Sequence, residues 1–290
     1  MADYVIMTDS SSDLPAKLAE EMELSVLPLS VFIEDKQYLN YLDEREISFH
    51  EIYQKLRTKC MAKTSAVNMN DFLKPMEDIL ASGRDLLYIG FSSGLSGTYN
   101  AGAAAAEELA EKYPGRKVYA VDSLSASLGQ GLLVYHAWLQ KKAGLGIDQL
   151  RDWVIDNRLH LCHWFTVDDL MFLKRGGRIS GATAIVGSML SIKPVMHVDN
   201  EGHLIKVSTA RGRKASIRAL ADEAQKRGID LQNQTIFISH GDCEEEANFL
   251  ADIMRKRFNV RDVLVNYVGP VIGAHSGPGT IALFFMGTER

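Results

Sequence analysis

The strongest constraint on the fold is an alternation, through the first half of the chain, of short β-rich apolar runs with segments of helical period. Tyr4 to Thr8 reads as a buried strand, Pro15 to Met22 as a helix with its proline in the first turn, and Leu24 to Ile33 as a second strand region. Helical patterns at 48–58 and 70–82 precede the strand Leu86 to Phe91. Thr98 to Lys112, with Ala103 to Ala106 inside it, is a strong helix former. Val118 to Val121 gives another strand and Ser127 to Lys142 another helix. This α/β rhythm implies a mostly parallel sheet with helices on its faces.

After about residue 160 the rhythm changes. Ile192 to Val198 and Leu204 to Ser208 flank Asp199-Asn200-Glu201-Gly202, the pattern of a hairpin with an Asn/Gly-bearing turn, so antiparallel structure is expected to enter here. Helices at 213–227 and 244–257 alternate with strands at 234–239 and 260–267, and Ile281 to Met286 closes the series. The expected architecture is an N-terminal α/β domain over 1–160 and a second α/β domain with a mixed or antiparallel sheet over 161–290.

Composition narrows the function classes. A chain of 290 residues, 46% apolar and 24% charged, is long enough to bury a sizeable core, and no apolar run approaches the ~18 residues of a membrane span. No stable membrane insertion is expected. The opening Met-Ala-Asp-Tyr-Val-Ile-Met-Thr-Asp lacks the basic and apolar regions of a secretory signal, and Cys60, Cys162 and Cys243 are isolated from one another, so a reducing cytoplasmic setting is expected. A formal charge of −5 supplies no general attraction to nucleic acid. His160 and His163 flank Cys162, but no second cluster completes a metal site, and neither metal nor cofactor is expected.

The stretch Gly90-Phe-Ser-Ser-Gly-Leu-Ser-Gly-Thr-Tyr-Asn-Ala-Gly102 crowds hydroxyls and glycines behind an apolar strand. Gly90-Phe91-Ser92-Ser93-Gly94 matches the G-x-S-x-G nucleophile elbow, which makes a serine hydrolase using Ser92 or Ser93, with His240 or His275 downstream, the alternative enzymatic reading. Against it, Leu95-Ser96-Gly97 intervenes before the helix. A phosphate loop lacks its Lys-Ser/Thr. A seat for an anion near a helix N-terminus remains, beside the simpler reading of a turn with Ser96 as helix cap. Thr8 to Asp13, Lys63-Thr64-Ser65 and Asp122-Ser123 add hydroxyls expected on the same strand-end rim, where parallel sheets bind ligands.

Together with those segments, Asp169-Leu-Met-Phe-Leu-Lys-Arg-Gly-Gly-Arg-Ile-Ser-Gly181, Lys193-Pro194 and Gly269-Pro-Val-Ile-Gly-Ala-His275 resemble, in order and along the whole chain, the DegV family. The resemblance implies a two-domain α/β protein with a long-chain fatty acid in a deep cleft and its carboxyl held by hydroxyls and a histidine. Some members of that family are the acyl-carrying subunit of bacterial fatty acid kinase, whose separate ATP-binding subunit phosphorylates the carboxyl. Carried over by motif, Thr64, Ser65, Ser92, Ser93, Ser96 and His275 would meet the carboxyl. Arg178 and Arg211 would bear on kinase docking, with bracing of the pocket an alternative for Arg178. Ala66-Val67 departs from the Gln-Pro that many relatives carry after Thr64-Ser65. For the acyl tail, the expected lining is Ile179 to Val195, including Ala182, Ala184, Ile185, Val186, Met189, Leu190 and Ile192.

Overall fold

The computed structural model describes residues 3–58, 60–179 and 191–290. Tyr4–Asp9 forms β1, Ala16–Glu21 α1 and Ser25–Leu27 β2; Ser30–Ile33 and Lys36–Leu39 are β3 and β4, followed by Phe49–Arg57 (α2), Ala62–Ser65 (β5) and Met69–Ala81 (α3). Asp85–Gly90 (β6), Thr98–Lys112 (α4), Val118–Asp122 (β7), Leu128–Lys142 (α5) and Ile147–Asn157 (α6) follow. The remainder runs through Leu161–Thr166 (β8), Leu170–Arg175 (α7), Ile192–Val198 (β9), Leu204–Arg211 (β10) and Arg213–Arg227 (α8). It ends with Thr235–His240 (β11), Glu244–Phe258 (α9), Asp262–Tyr267 (β12), Pro270–Ser276 (α10) and Ile281–Met286 (β13).

Local chemistry accounts for several boundaries. Asn68 and Asp71 close a reciprocal capping box at the start of α3. The first turn of α9 carries Glu244, Glu245 and Glu246 and its last turn Arg255, Lys256 and Arg257, matching the polarity of the helix at both ends.

Four parallel strands make the first sheet, in the order β2-β1-β6-β7. The chain leaves β1 toward β2 on one side and β6 toward β7 on the other, so the carboxyl ends of β1 and β6 flank the point where strand order reverses. The six-stranded sheet, β10-β9-β8-β13-β11-β12, is mixed: β11 and β12 are parallel and its other neighbours antiparallel. The expected α/β class with one parallel and one mixed sheet is therefore observed.

Antiparallel pairing nevertheless enters well before residue 160. The expected strand region Leu24 to Ile33 divides at Pro28, which has no N–H to give a ladder. Residues before it join the parallel sheet as β2. Those after it turn away as β3, which pairs antiparallel with β4 on one side and β5 on the other.

Helix α5 positions the site because it lies between the two large sheets. Leu128, Leu132, Leu133 and Val134 are fully buried, in one core cluster with Leu87 and Ile89 of the parallel sheet and Phe237 and Phe284 of the mixed sheet. A helix apolar around most of its circumference must be covered on opposite faces. The two sheets cover it, and a space is left open beyond its N-terminus.

Candidate functional site

At that position lies a partly enclosed cavity, about 880 Å³ when the open space at its mouth is included. Phe91, Phe165, Leu173, Val271, Ile272 and Ala282 supply apolar wall, while Thr64, Ser65, Ser96, Arg178 and His275 contribute polar groups. Outside it, a second depression edged by Lys63 and Arg175 shares Thr64, Arg178 and His275 with the cavity.

Thr64 arrives on β5 and not on a loop of the parallel sheet; its partner across the antiparallel ladder is Val31. His275 is in the last turn of α10, and its Nε2 lies 2.7 Å from Thr64 Oγ1. Burial, assisted by the Arg178 charge, lowers the His275 pKa to about 4, so its imidazole is neutral near pH 7. With the proton on Nε2, the ring donates to Thr64 Oγ1 and leaves the threonine O–H to donate elsewhere.

The Gly176-Gly177-Arg178 motif builds the adjoining wall. A Cβ on Gly176 would stand 2.3 Å from His275 Nδ1, so only glycine lets the end of α7 approach the ring. Gly177 then turns with φ +69°. Arg178 folds back over the glycine loop, donating from Nε to Leu95 O at 3.3 Å and from its terminal nitrogen to Gly176 O. Its guanidinium thus braces the wall.

Ser96 also reaches the cavity, with Oγ accepting the Thr98 N–H at 3.2 Å and lying 2.9 Å from Thr98 Oγ1. The N-cap of α4 is Gly97, one residue beyond the expected Ser96, and Gly97 itself is on the wall. The positive end of a fifteen-residue helix therefore faces the same space. Ser65 lies at the mouth and donates to Ala66 O at 3.1 Å.

Ser92 and Ser93, expected at the same place, do not meet these groups. Ser92 is fully buried, donates to Gly202 O at 2.9 Å and accepts the Gly94 N–H at 3.2 Å. Ser93 is exposed, its N–H directed to the Asp122 carboxylate. The cause is the β9–β10 hairpin turn, which docks on this loop. A Cβ on Gly94 would meet Glu201 O at 2.8 Å, so the glycine answers a neighbouring backbone and not a phosphate. Ser92 contacts a carbonyl where an elbow serine would contact histidine. His240 Nδ1 accepts the Cys243 N–H, and His275 meets Thr64.

Much of the hydroxyl-rich rim turns inward. Thr8 donates to Ile89 O, Ser10 accepts the Leu29 N–H, and Asp9 accepts from Ser11, Tyr88 and Phe91. Arg211 is exposed at the end of β10. Of the expected tail lining, residues 180–190, including Ala182, Ala184, Ile185, Val186, Met189 and Leu190, lie outside the described residues. Ile179 joins the core around α5, and Val195 points to the opposite face of the mixed sheet with Trp164 and Ile217. Among the described residues the apolar lining comes from Phe91 and Leu95 and from α7, α10, β8 and β13. His163 faces inward and Cys162 outward by strand alternation, and His160 Nδ1 contacts Thr288 O, so these three do not converge.

Sequence reading overlooked Ser127 and Ser239, both on the cavity wall. Their signal was present: Ser127 closes the run Asp122-Ser-Leu-Ser-Ala-Ser, and Ser239 precedes His240 at a strand end. Ser127 Oγ lies 2.5 Å from Asp13 Oδ2 and 3.0 Å from Ser239 Oγ. Burial pushes the Asp13 pKa up to about 8. The folded chain then holds a proton that the unfolded carboxyl loses near pH 4, so stability from this group declines as pH rises between those values. Asp13→Asn is expected to flatten the fall in Tm between about pH 5 and 8 relative to the parent; an identical slope in thermal unfolding contradicts the assignment.

The sheets thus enclose an apolar cavity with hydroxyls and a neutral histidine on its wall. Among the described residues no helix is long and apolar enough to cross a membrane. The chain belongs to the DegV family, whose model, described as "Uncharacterised protein, DegV family", matches residues 3–288. A DegV domain-containing protein of Clostridium perfringens is 46% identical over 290 residues, 100% of this chain and 99% of that one. Among solved structures, a Thermus thermophilus DegV family protein described by its fatty acid binding has a TM-score of 0.86 at 31% identity, over 99% of this chain and 100% of that one. A Thermotoga maritima protein described as revealing a fatty acid binding function gives 0.86 at 27% identity over the same shares.

Proposed function

We propose that this chain binds one long-chain fatty acid between two lobes, residues 1–160 and 161–290. The carboxyl meets Thr64, Ser96 and Ser65, with His275 orienting the Thr64 hydroxyl, and the tail lies against the apolar wall. The observation that carries the reading is the shared position of Thr64, Arg178 and His275, which line both the apolar cavity and the outer depression. A carboxyl there has its hydrocarbon buried behind it and its oxygens toward the outside. An isolated buried carboxylate is prohibitive, and Thr64 O–H together with the α4 N-terminus supplies the donors it requires. The DegV structures described as binding fatty acids support the same ligand class.

Such a carboxyl is presented and not consumed. The chain works as a cytoplasmic carrier that offers its ligand to a separate ATP-dependent fatty acid kinase subunit, with exposed Arg211 and partly buried Arg178 toward that partner. The expected result in native mass spectrometry is a fatty acid travelling with the purified protein, lost on organic extraction and regained on adding palmitate. ATP alone should give no acyl phosphate, trapped as the hydroxamate, until a kinase subunit is added. Failure to retain or regain any fatty acid overturns the binding reading. Acyl phosphate formed by the chain alone, or covalent labelling of Ser92 by a fluorophosphonate, overturns the carrier reading.

A further inference from the structure

The cavity carries a second set of polar groups, some of which have no partner among the described residues. His163, on β8, is 4% exposed and lines the cavity. Its Nδ1 lies 3.4 Å from Ser125 Oγ, and Nε2 has no protein partner among the described residues. Ser276, 5% exposed, borders the same space, but its Oγ is buried away from it. Ser239 completes the set.

Sheet register orders Ser239 and His163. Ser239 stands opposite Ala282, which stands opposite Phe165; His163 and Phe284 form the next inward-facing pair, two residues or about 7 Å further along the strands. Behind Ser239 runs the chain of contacts through Ser127 to Asp13. When Asp13 holds its proton it donates to Ser127, Ser127 donates to Ser239, and the Ser239 O–H is released toward the cavity. His163 is kept neutral by burial, so Nε2 serves as one donor or one acceptor according to tautomer.

On the reading that the cavity holds a fatty acid, we infer that Ser239 and His163 form a second recognition site for an oxygen substituent, a hydroxyl or keto group, along the acyl chain. The ligand class is then an oxygenated long-chain acid, with the carboxyl at Thr64 and the substituent at this inner row. A site built with buried donors and acceptors discriminates against a ligand that leaves them unpaired.

The test measures dissociation constants of the delipidated protein for palmitate and for a positional series of hydroxypalmitates. At one position the hydroxy acid is expected to bind roughly 3- to 10-fold more tightly than palmitate, the value of one net hydrogen bond. In His163→Phe, and separately in Ser239→Ala, the ratio of the two affinities should fall toward one, with folding checked by thermal unfolding. Two variants on different strands keep the test open should one not fold. Palmitate binding with no favoured hydroxy position in the parent overturns this inference and leaves the fatty acid reading standing. A preference that survives both substitutions overturns it as well. Binding of neither series overturns both.

Discussion

Shortening the ligand from sixteen to ten carbons is expected to weaken binding on the order of 10³-fold. Each buried methylene contributes roughly 0.8 kcal/mol, and six of them sum to about 5 kcal/mol when the tail leaves water completely. A tail lying against Phe165, 4% exposed, and Ala282, 2% exposed, is removed from water. Affinity should therefore rise about fourfold per methylene until the tail meets the end of the cavity, then level off. Isothermal titration across the even-numbered saturated acids checks this. A flat dependence from ten to sixteen carbons would place the tail in solvent and remove the basis for the proposed function.

The second large effect belongs to Thr64. Thr64→Val keeps the shape and removes the one hydroxyl that His275 orients, and it should weaken palmitate roughly 10- to 100-fold, as expected for a hydrogen bond to a charged group. The methyl ester, which has no charge to satisfy, should change much less. His275→Ala is expected to act through Thr64, because the 2.7 Å contact selects which way the hydroxyl proton points. The double variant should then lose less than the sum of the single losses. Strict additivity, or equal losses for acid and ester, would show that the pair does not hold the carboxyl.

Most of the regular structure is legible in the chain. The helices α2, α3, α4, α8 and α9 have clear periods and, for α2 and α3, side-chain caps from Ser48 and Asn68. Besides α6 and β8, the segments that escaped are those with little local signal. Strand β5 is the four-residue Ala-Lys-Thr-Ser, extended because β3 pairs with it. Helix α10 is seven residues within a glycine-rich stretch, and α7 is six. Each is too short for periodicity to register or for helix formation to stand alone.

The site divides along the same line. Hydroxyls, a histidine and a Gly-Gly-Arg motif were readable, and with them the kind of group they suit. Orientation was not. Ser92 and Ser96 share one loop, yet the first is bonded to the hairpin turn at Gly202 and the second reaches the cavity. Nothing in the loop's own residues distinguishes them, because the discriminating contact comes from 110 positions away.

The chain by itself thus determined the succession of strands and helices, the family, and the polar chemistry available for a ligand, since these rest on local periodicity and residue type. Tertiary structure alone decided which hydroxyls face the cavity, that Arg178 braces a wall, and that His275 is neutral. Those properties depend on burial and on contacts such as Thr64 with His275, 211 residues apart, which exist only once the sheets have closed around α5.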